Sequence, residues 1–178
     1  MKKLLVVVDY QNDFVSGSLG FKDALSIEDY LADLIEKYHQ NNDDVIFTLD
    51  THQTDYLNSQ EGKNLPITHC IENSEGWMLY GKIKDLAKND YQIKKETFGS
   101  LALGNYLQDK DYQEITITGV VSNICVISNA IIIKAALPEA KIIIDFKGIA
   151  SNDLSLQQKA IDIMKNLQME IINEKEPF

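Results

Sequence analysis

Cys125 stands in the stretch GVVSNICVISNA, after the alternating run EITIT and before the apolar segment AIIIKAALP. That places a thiol at the joint between an expected strand and an expected helix. In the first turn of a helix, a thiolate meets the positive end of the helix dipole and unsatisfied backbone N–H groups. Both lower its pKa. Asp9 closes the run VVVD, and Lys95 closes IKK. A carboxylate in reach of the sulfur can take its proton and later hand it to a leaving amine, and a neighbouring ammonium lowers the thiol pKa further. The plainer reading of Cys125 is a buried structural cysteine. An acid and a lysine ending nearby strands favour the nucleophile. Cys70 is the weaker candidate, since it sits beside His69 in a loop with no helix behind it.

A second constellation is Asp50-Thr51-His52 with His69. In extended chain, residues i and i+2 point the same way, so Asp50 and His52 can face one point. A carboxylate with two imidazoles suits a divalent transition metal that keeps positions open for water or substrate. Glu61, in the same loop, is available to complete the set. Against this stands the reading of three unrelated loop polars. His39, late in an expected helix, is better read as a charge favoured by the C-terminal dipole.

These groups need elements to position them. Candidate strands are Leu4–Asp9, Asp44–Asp50, Tyr91–Lys94, Glu114–Gly119, Ala140–Asp145 and Met169–Asn173. Between the first two, Ser26 is expected as a helix N-cap. It is followed by an apolar stripe of Ile27, Leu31, Leu34, Ile35 and Tyr38. A second helix is expected from Ser122 to Ala136, stopped by Leu137-Pro138. A third, Asp153 to Leu167, sets Ala160, Ile161, Met164 and Leu167 on one face. Such alternation implies right-handed βαβ units around a mostly parallel sheet, and LLVVV reads as a strand buried on both faces. The expected fold is a single-domain, three-layer α/β/α arrangement over residues 1–178 with a six-stranded, mostly parallel sheet. In a parallel sheet, Asp9, Asp50, His52, Lys94, Lys95 and Cys125 gather on one rim. Thr51–Tyr80 is a long stretch of weak periodicity, and such loops are usually functional. The metal site is expected there, at about 50–80. Of the aromatics near these motifs, Tyr10, Trp77, Phe98 and Tyr106 are expected mostly in the core, and Phe14 as a pocket wall.

Composition narrows the rest. The chain has 178 residues, 44% hydrophobic and 25% charged, with a formal charge of −10. No basic stripe exists to neutralise phosphates, which argues against nucleic acid as a partner. Two cysteines make no disulfide framework and point to a reduced, cytoplasmic setting. The start MKKLLVVVD imitates a signal peptide, but Asp9 interrupts the apolar run and no small-residue cleavage site follows. No segment is long enough for a bilayer, so no membrane is expected. Neither G-x-G-x-x-G nor P-loop spacing occurs, which argues against nucleotide binding.

With these residues in view, the chain resembles the isochorismatase-like cysteine hydrolases, within them the nicotinamidase/pyrazinamidase branch, over essentially its whole length. VVVDYQNDF, KETFGS and GVVSNICV are similar to the family's base, lysine and nucleophile motifs. LDTH with LPITHC is similar to its metal site. The resemblance implies a Rossmann-like topology and a triad of Asp9, Lys95 and Cys125. It also implies a metal held by Asp50, His52 and His69, with Glu61 as an added ligand in some relatives. Zinc is the expected metal, with manganese or iron as alternatives. A cis peptide between Val120 and Val121 and an oxyanion hole from the N–H groups of Val121 and Cys125 are implied too. Phe14, Leu65 and Val120 are expected to line the pocket for a small-molecule amide, nicotinamide in this branch. A homo-oligomer is compatible with the sequence. Two departures bear on substrate: Ser122-Asn123 where many relatives have Thr-Asp, and Leu65 where several carry an aromatic residue. Rival readings are a metal-independent hydrolase of another small amide, carbamoyl or ureido compound, a receiver-like phosphoacceptor module, or a catalytically silent scaffold.

Overall fold

A computed structural model describes residues 2–174. Six strands form one wholly parallel sheet: β1 (Lys3–Val8), β2 (Asp44–Asp50), β3 (Tyr91–Lys95), β4 (Glu114–Val120), β5 (Lys141–Ala150) and β6 (Glu170–Ile172). Their spatial order is β3-β2-β1-β4-β5-β6. The chain therefore winds outward in both directions from β1, and the order reverses between β1 and β4. Ligands of open parallel sheets bind outside the carboxyl ends of the strands at such a reversal.

β1 reads LLVVV because it is covered on both faces. Leu4, Val6 and Val8 join one core layer with Ile115, Ile117, Val126, Ala130 and Ile161. Leu5 and Val7 face the other, with Leu31, Ile35, Phe47 and Ile83. Period-two alternation thus sends neighbouring residues of one strand into opposite layers.

The helices are α1 (Asn12–Val15), α2 (Lys22–Ser26), α3 (Glu28–Gln40), α4 (Gln60–Asn64), α5 (Gly81–Leu86), α6 (Leu101–Gln108), α7 (Ile127–Ala136) and α8 (Leu154–Asn166). α3 buries Leu31, Ala32, Ile35 and Tyr38, as its stripe predicts, but Ser26 is not its N-cap. Ser26 ends α2, and its hydroxyl donates to the Asp23 carbonyl at 2.8 Å. His39, in the last turn of α3, lies 3.1 Å from Asp90, so it also ties the helix to the approach to β3. α8 is capped by Asp153, whose carboxylate accepts from Leu156 N at 2.9 Å. Ala160, Ile161 and Met164 are buried as expected, whereas Leu167 lies beyond the helix and is exposed.

α6 escapes pattern reading because it is short and carries Gly104 at its centre, a poor helix former. The glycine has a packing reason. A Cβ there would stand 2.8 Å from Ile132 Cγ2, so α6 lies close against α7.

Residues 51–80 are held by many anchors. A parallel bridge joins His52 to Ile71, and an antiparallel one joins Gln11 to Leu79. The motif after β1 supplies the ties. Asn12 N donates to Met78 O at 2.9 Å, Asp13 N to Gly76 O at 3.0 Å, and Cys70 N to Asp13 Oδ2 at 2.7 Å. No helix among the described residues is long and apolar enough to cross a membrane.

Candidate active site and metal centre

Asp9 follows β1 with a positive φ of 46°, and its backbone N–H donates to Thr48 O at 3.2 Å on β2. The turn directs the carboxylate into the rim, where it is completely buried. Its Oδ1 accepts from Thr48 Oγ1 at 2.7 Å. Its Oδ2 has no donor in hydrogen-bond geometry, although the Lys95 ammonium lies 2.7 Å away as a charge.

Lys95, the last residue of β3, reaches across β2 toward β1. Its Nζ also lies 3.0 Å from Asp50 Oδ1, 2.9 Å from the Thr97 carbonyl and 3.7 Å from Cys125 Sγ. Burial alone would lower its pKa, but Asp9 and Asp50 beside it raise it well above the ordinary value. Burial is also the main reason the Asp9 carboxyl is raised, with Lys95 opposing.

Cys125 enters from β4. Gly119 has φ of 105°, and a Cβ there would stand 2.0 Å from Val8 O, so only glycine lets β4 pass β1 this closely. The peptide Val120–Val121 is cis. Ser122–Val126 then forms a π turn leading into α7. In it the Val121 carbonyl accepts from Ile124 N at 3.0 Å and Val126 N at 3.2 Å, passing over the N–H of Cys125. Asn129 braces the turn: its Nδ2 donates to Cys125 O at 2.8 Å and Phe98 O at 3.0 Å. The expected lowering of the thiol pKa is not found. Burial pushes Cys125 well up, the carboxylates of Asp9 and Asp50 add to this, and Lys95 does not offset them.

Asp50, His52, Glu61 and His69 converge, with one donor atom from each within 4.8 Å of all the others. His52 Nε2 lies 3.0 Å from Asp50 Oδ2 and 3.7 Å from Glu61 Oε1, and the corresponding His69 distances are 3.4 and 3.8 Å. Metal–ligand bonds of about 2.0–2.2 Å at tetrahedral angles separate donors by roughly 3.3–3.6 Å. One of the four distances falls in that range and the others lie within about 0.3 Å of it, and two imidazoles with two carboxylates are the chemistry a divalent ion takes. The His69 Nδ1 is paired with Ile67 O at 2.8 Å, which leaves Nε2 as the ligating nitrogen. Tyr56 packs tilted against His52 and edgewise against His69, with centroids 4.6 and 4.9 Å away, and Phe14 packs on His69 at 5.5 Å. The Asp50 carboxyl would be raised by burial, but hydrogen bonds from the imidazoles and the Lys95 charge hold it well below its usual range.

Both groups open on one cavity of about 200 Å³, walled by Cys125, Asp50, Glu61 and His69 and by Phe14, Leu19, Phe21, Leu65, Phe98, Val121, Ile124 and Asn152. Phe14 and Leu65 are thus both in its wall. Val120 does not: its side chain is completely buried in the core beneath, and Val121 forms the wall instead. Phe98 is half exposed rather than core. The Ser122-Asn123 departure is absorbed locally, with Ser122 Oγ on Gln157 Oε1 at 2.9 Å and Asn123 Oδ1 accepting from Ser151 at 2.5 Å. Lys94 points away from the rim and pairs with Glu72. Cys70 is buried and outside the cavity.

Sequence reasoning missed Gln11, Thr48 and Asn129. Gln11 is completely buried and clamps Asp50 from both sides, Nε2 donating to its carbonyl at 2.9 Å and Oε1 accepting from its N–H at 2.8 Å. A polar residue two positions past Asp9 in DYQNDF was the available signal.

The isochorismatase domain profile matches residues 3–176. The chain belongs to the isochorismatase family. It is 31% identical over 143 residues to the Bacillus subtilis isochorismatase family protein PncA, covering 74% of this chain and 78% of that one. The crystal structure of the pyrazinamidase/nicotinamidase of Streptococcus mutans is 28% identical, covers 96% of this chain and all of its own, and superposes with a TM-score of 0.85. The pyrazinamidase of Pyrococcus horikoshii in complex with zinc, 22% identical, shares the fold at a TM-score of 0.83, with 96% or more of both chains aligned (98% of this one, 100% of that).

Proposed function

We propose that this member of the isochorismatase family is an amidohydrolase of the nicotinamidase kind, converting nicotinamide and water to nicotinate and ammonia. The observation that carries the reading is the shared cavity: a thiol flanked by a carboxylate and an ammonium opens on the same small space as a four-donor metal group. At about 200 Å³ the space falls below the usual range for drug-sized ligands and admits a single-ring amide.

Asp9 Oδ2, the oxygen with no aligned donor, takes the thiol proton as sulfur attacks the carboxamide carbon. Negative charge moves from sulfur to the carbonyl oxygen, where the N–H groups of Val121 and Cys125 receive it, worth about 3 kcal/mol per donor. Collapse breaks the C–N bond, and the Asp9 proton leaves with the amine as ammonia. Water then loses a proton to Asp9 and attacks the thioester. Carboxylate departs and the sulfur recovers its proton. Lys95 keeps its charge throughout and holds Asp9 in place beside Cys125. Asp50, His52, His69 and Glu61 would hold the metal, zinc by preference of the donor set. A divalent ion there supplies an electron-pair acceptor for the pyridine nitrogen and so orients the ring.

This reading assigns the protein to pyridine nucleotide salvage in the cytoplasm. A receiver-like phosphoacceptor role is disfavoured by Asp9, which has no exposed surface for a phosphoryl donor. The test is ammonia release from nicotinamide, pyrazinamide, benzamide and a ureido compound, before and after chelation. Preference for ring-nitrogen amides, lost on chelation and restored by zinc, is expected. Equal turnover of benzamide, or turnover indifferent to chelation, would reject it.

A further inference from the structure

Two cavities reach the donor group. One is the largely apolar space that holds Cys125, with Phe14, Leu19, Phe21, Leu65 and Ile124 in its walls. The other, of about 400 Å³, is the more polar and reaches His52 and Glu61 past Asp55, Gln60, Glu96 and Thr97. Glu61 and Phe98 stand in both walls, so the two cavities adjoin at the ligand group, with His52 in the wall of one and Asp50 and His69 in that of the other. The rim residues Asp55, Gln60, Glu96 and Thr97 are all exposed. No lysine or arginine lines this second cavity. Lys94, two residues from Glu96, is engaged instead by Glu72 at 2.5 Å. Asp55 and Glu96, both in its lining, make no ion pair among the described residues.

We propose that the divalent ion reaches and leaves its ligands through this acidic cavity, while the amide enters by the apolar one. The inference rests on the metal reading of Asp50, His52, Glu61 and His69. A hydrated dication sheds water at high cost in apolar surroundings, and the substrate cavity offers it phenyl and aliphatic walls. The second cavity has a mainly polar lining, with Tyr56 and Phe98 as its aromatic members, and carboxylates on the approach, which concentrate cations and speed their arrival. Metal and substrate then load independently, from separate mouths.

Cobalt(II) uptake by the metal-free full chain, followed by its visible absorption after rapid mixing, tests this. In the double variant Asp55→Asn/Glu96→Gln, the uptake rate should fall about tenfold at low ionic strength. The gap should close as salt screens the wild-type advantage. Gln60→Trp, at the rim, should slow uptake as well, whereas Ile124→Trp, at the other mouth, should leave it unchanged. Final cobalt content should match the wild type in all of them, which shows that the ligand group is intact. Uptake unaffected by the acidic-rim variants, or slowed as much by Ile124→Trp as by Gln60→Trp, would overturn the path while leaving the metal site standing. Failure of the wild-type chain to bind cobalt at all would remove both.

Discussion

The two halves of the site are built in different ways. Asp9, Lys95 and Cys125 stand at or just beyond strand ends, placed by the register of a parallel sheet and by the reversal of strand order between β1 and β4. His52, Glu61 and His69 stand on a thirty-residue excursion with little regular structure, placed by side chains that reach out from elsewhere. Asp50 belongs to both, closing β2 while facing Lys95 on one oxygen and the imidazoles on the other. The sheet half should therefore fail chemically when a reacting group is removed. The loop half should fail when a tie is cut at a distance.

The largest expected effect is on the sheet half. Cys125→Ala should lower ammonia release by at least about 10⁴-fold, since the proposed mechanism has no other nucleophile, with metal content by emission spectroscopy unchanged. Lys95→Met should follow, in stability rather than in rate alone. It leaves the Asp9 and Asp50 carboxylates facing each other without their shared cation, and breaking a buried pair costs about 3–5 kcal/mol. Urea unfolding would show it, and a midpoint equal to wild type would contradict the account of Lys95 as the hub.

On the loop half, Gln11→Leu removes no metal ligand yet strips the clamp from both backbone groups of Asp50. Metal affinity should fall about 10–100-fold, the size usual for lost outer-shell support. Competition against a chromogenic chelator measures it. Unchanged affinity would mean that the loop holds its ligands without help from β1.

The smallest expected effect separates the two cysteines of the metal-free protein. The Cys125 pKa is raised by burial and by its carboxylate neighbours, so little thiolate exists at neutral pH and more forms as pH rises. Its alkylation by iodoacetamide should be slower than that of an exposed cysteine at pH 7 and still accelerating above pH 9.0, the ordinary value for the group. Cys70, raised by burial and remote from the cavity, should stay unlabelled throughout. Labelling of Cys125 that levels off below neutrality would restore the depressed pKa expected from the helix terminus alone.

The same division explains what was legible in the sequence. Apolar runs bounded by polar residues announce β1, β2 and β4, and parallel pairing then carries Asp9, Asp50 and Cys125 to one rim. The donor residues of the loop could be named by type and by family resemblance, but no local pattern reveals that Gln11 and Asp13 fasten them, because those bonds span tens of residues. α6 was hidden by its length and by Gly104, whose purpose appears only against Ile132. Val120 and Val121 exchanged roles because which of two adjacent valines faces the cavity depends on a turn geometry that spacing does not encode. The thiol pKa was misjudged for a related reason. A helix terminus is visible in sequence, whereas complete burial beside two carboxylates is a property of the assembled rim.

The central claim is that both halves address one molecule: the sulfur its carboxamide, the metal its ring. Cobalt(II)-loaded Cys125→Ala protein titrated with nicotinamide tests this most directly. The visible spectrum should change saturably with nicotinamide and stay constant with benzamide, which lacks the ring nitrogen. Identical spectra with both, under conditions where both compounds bind, would contradict it.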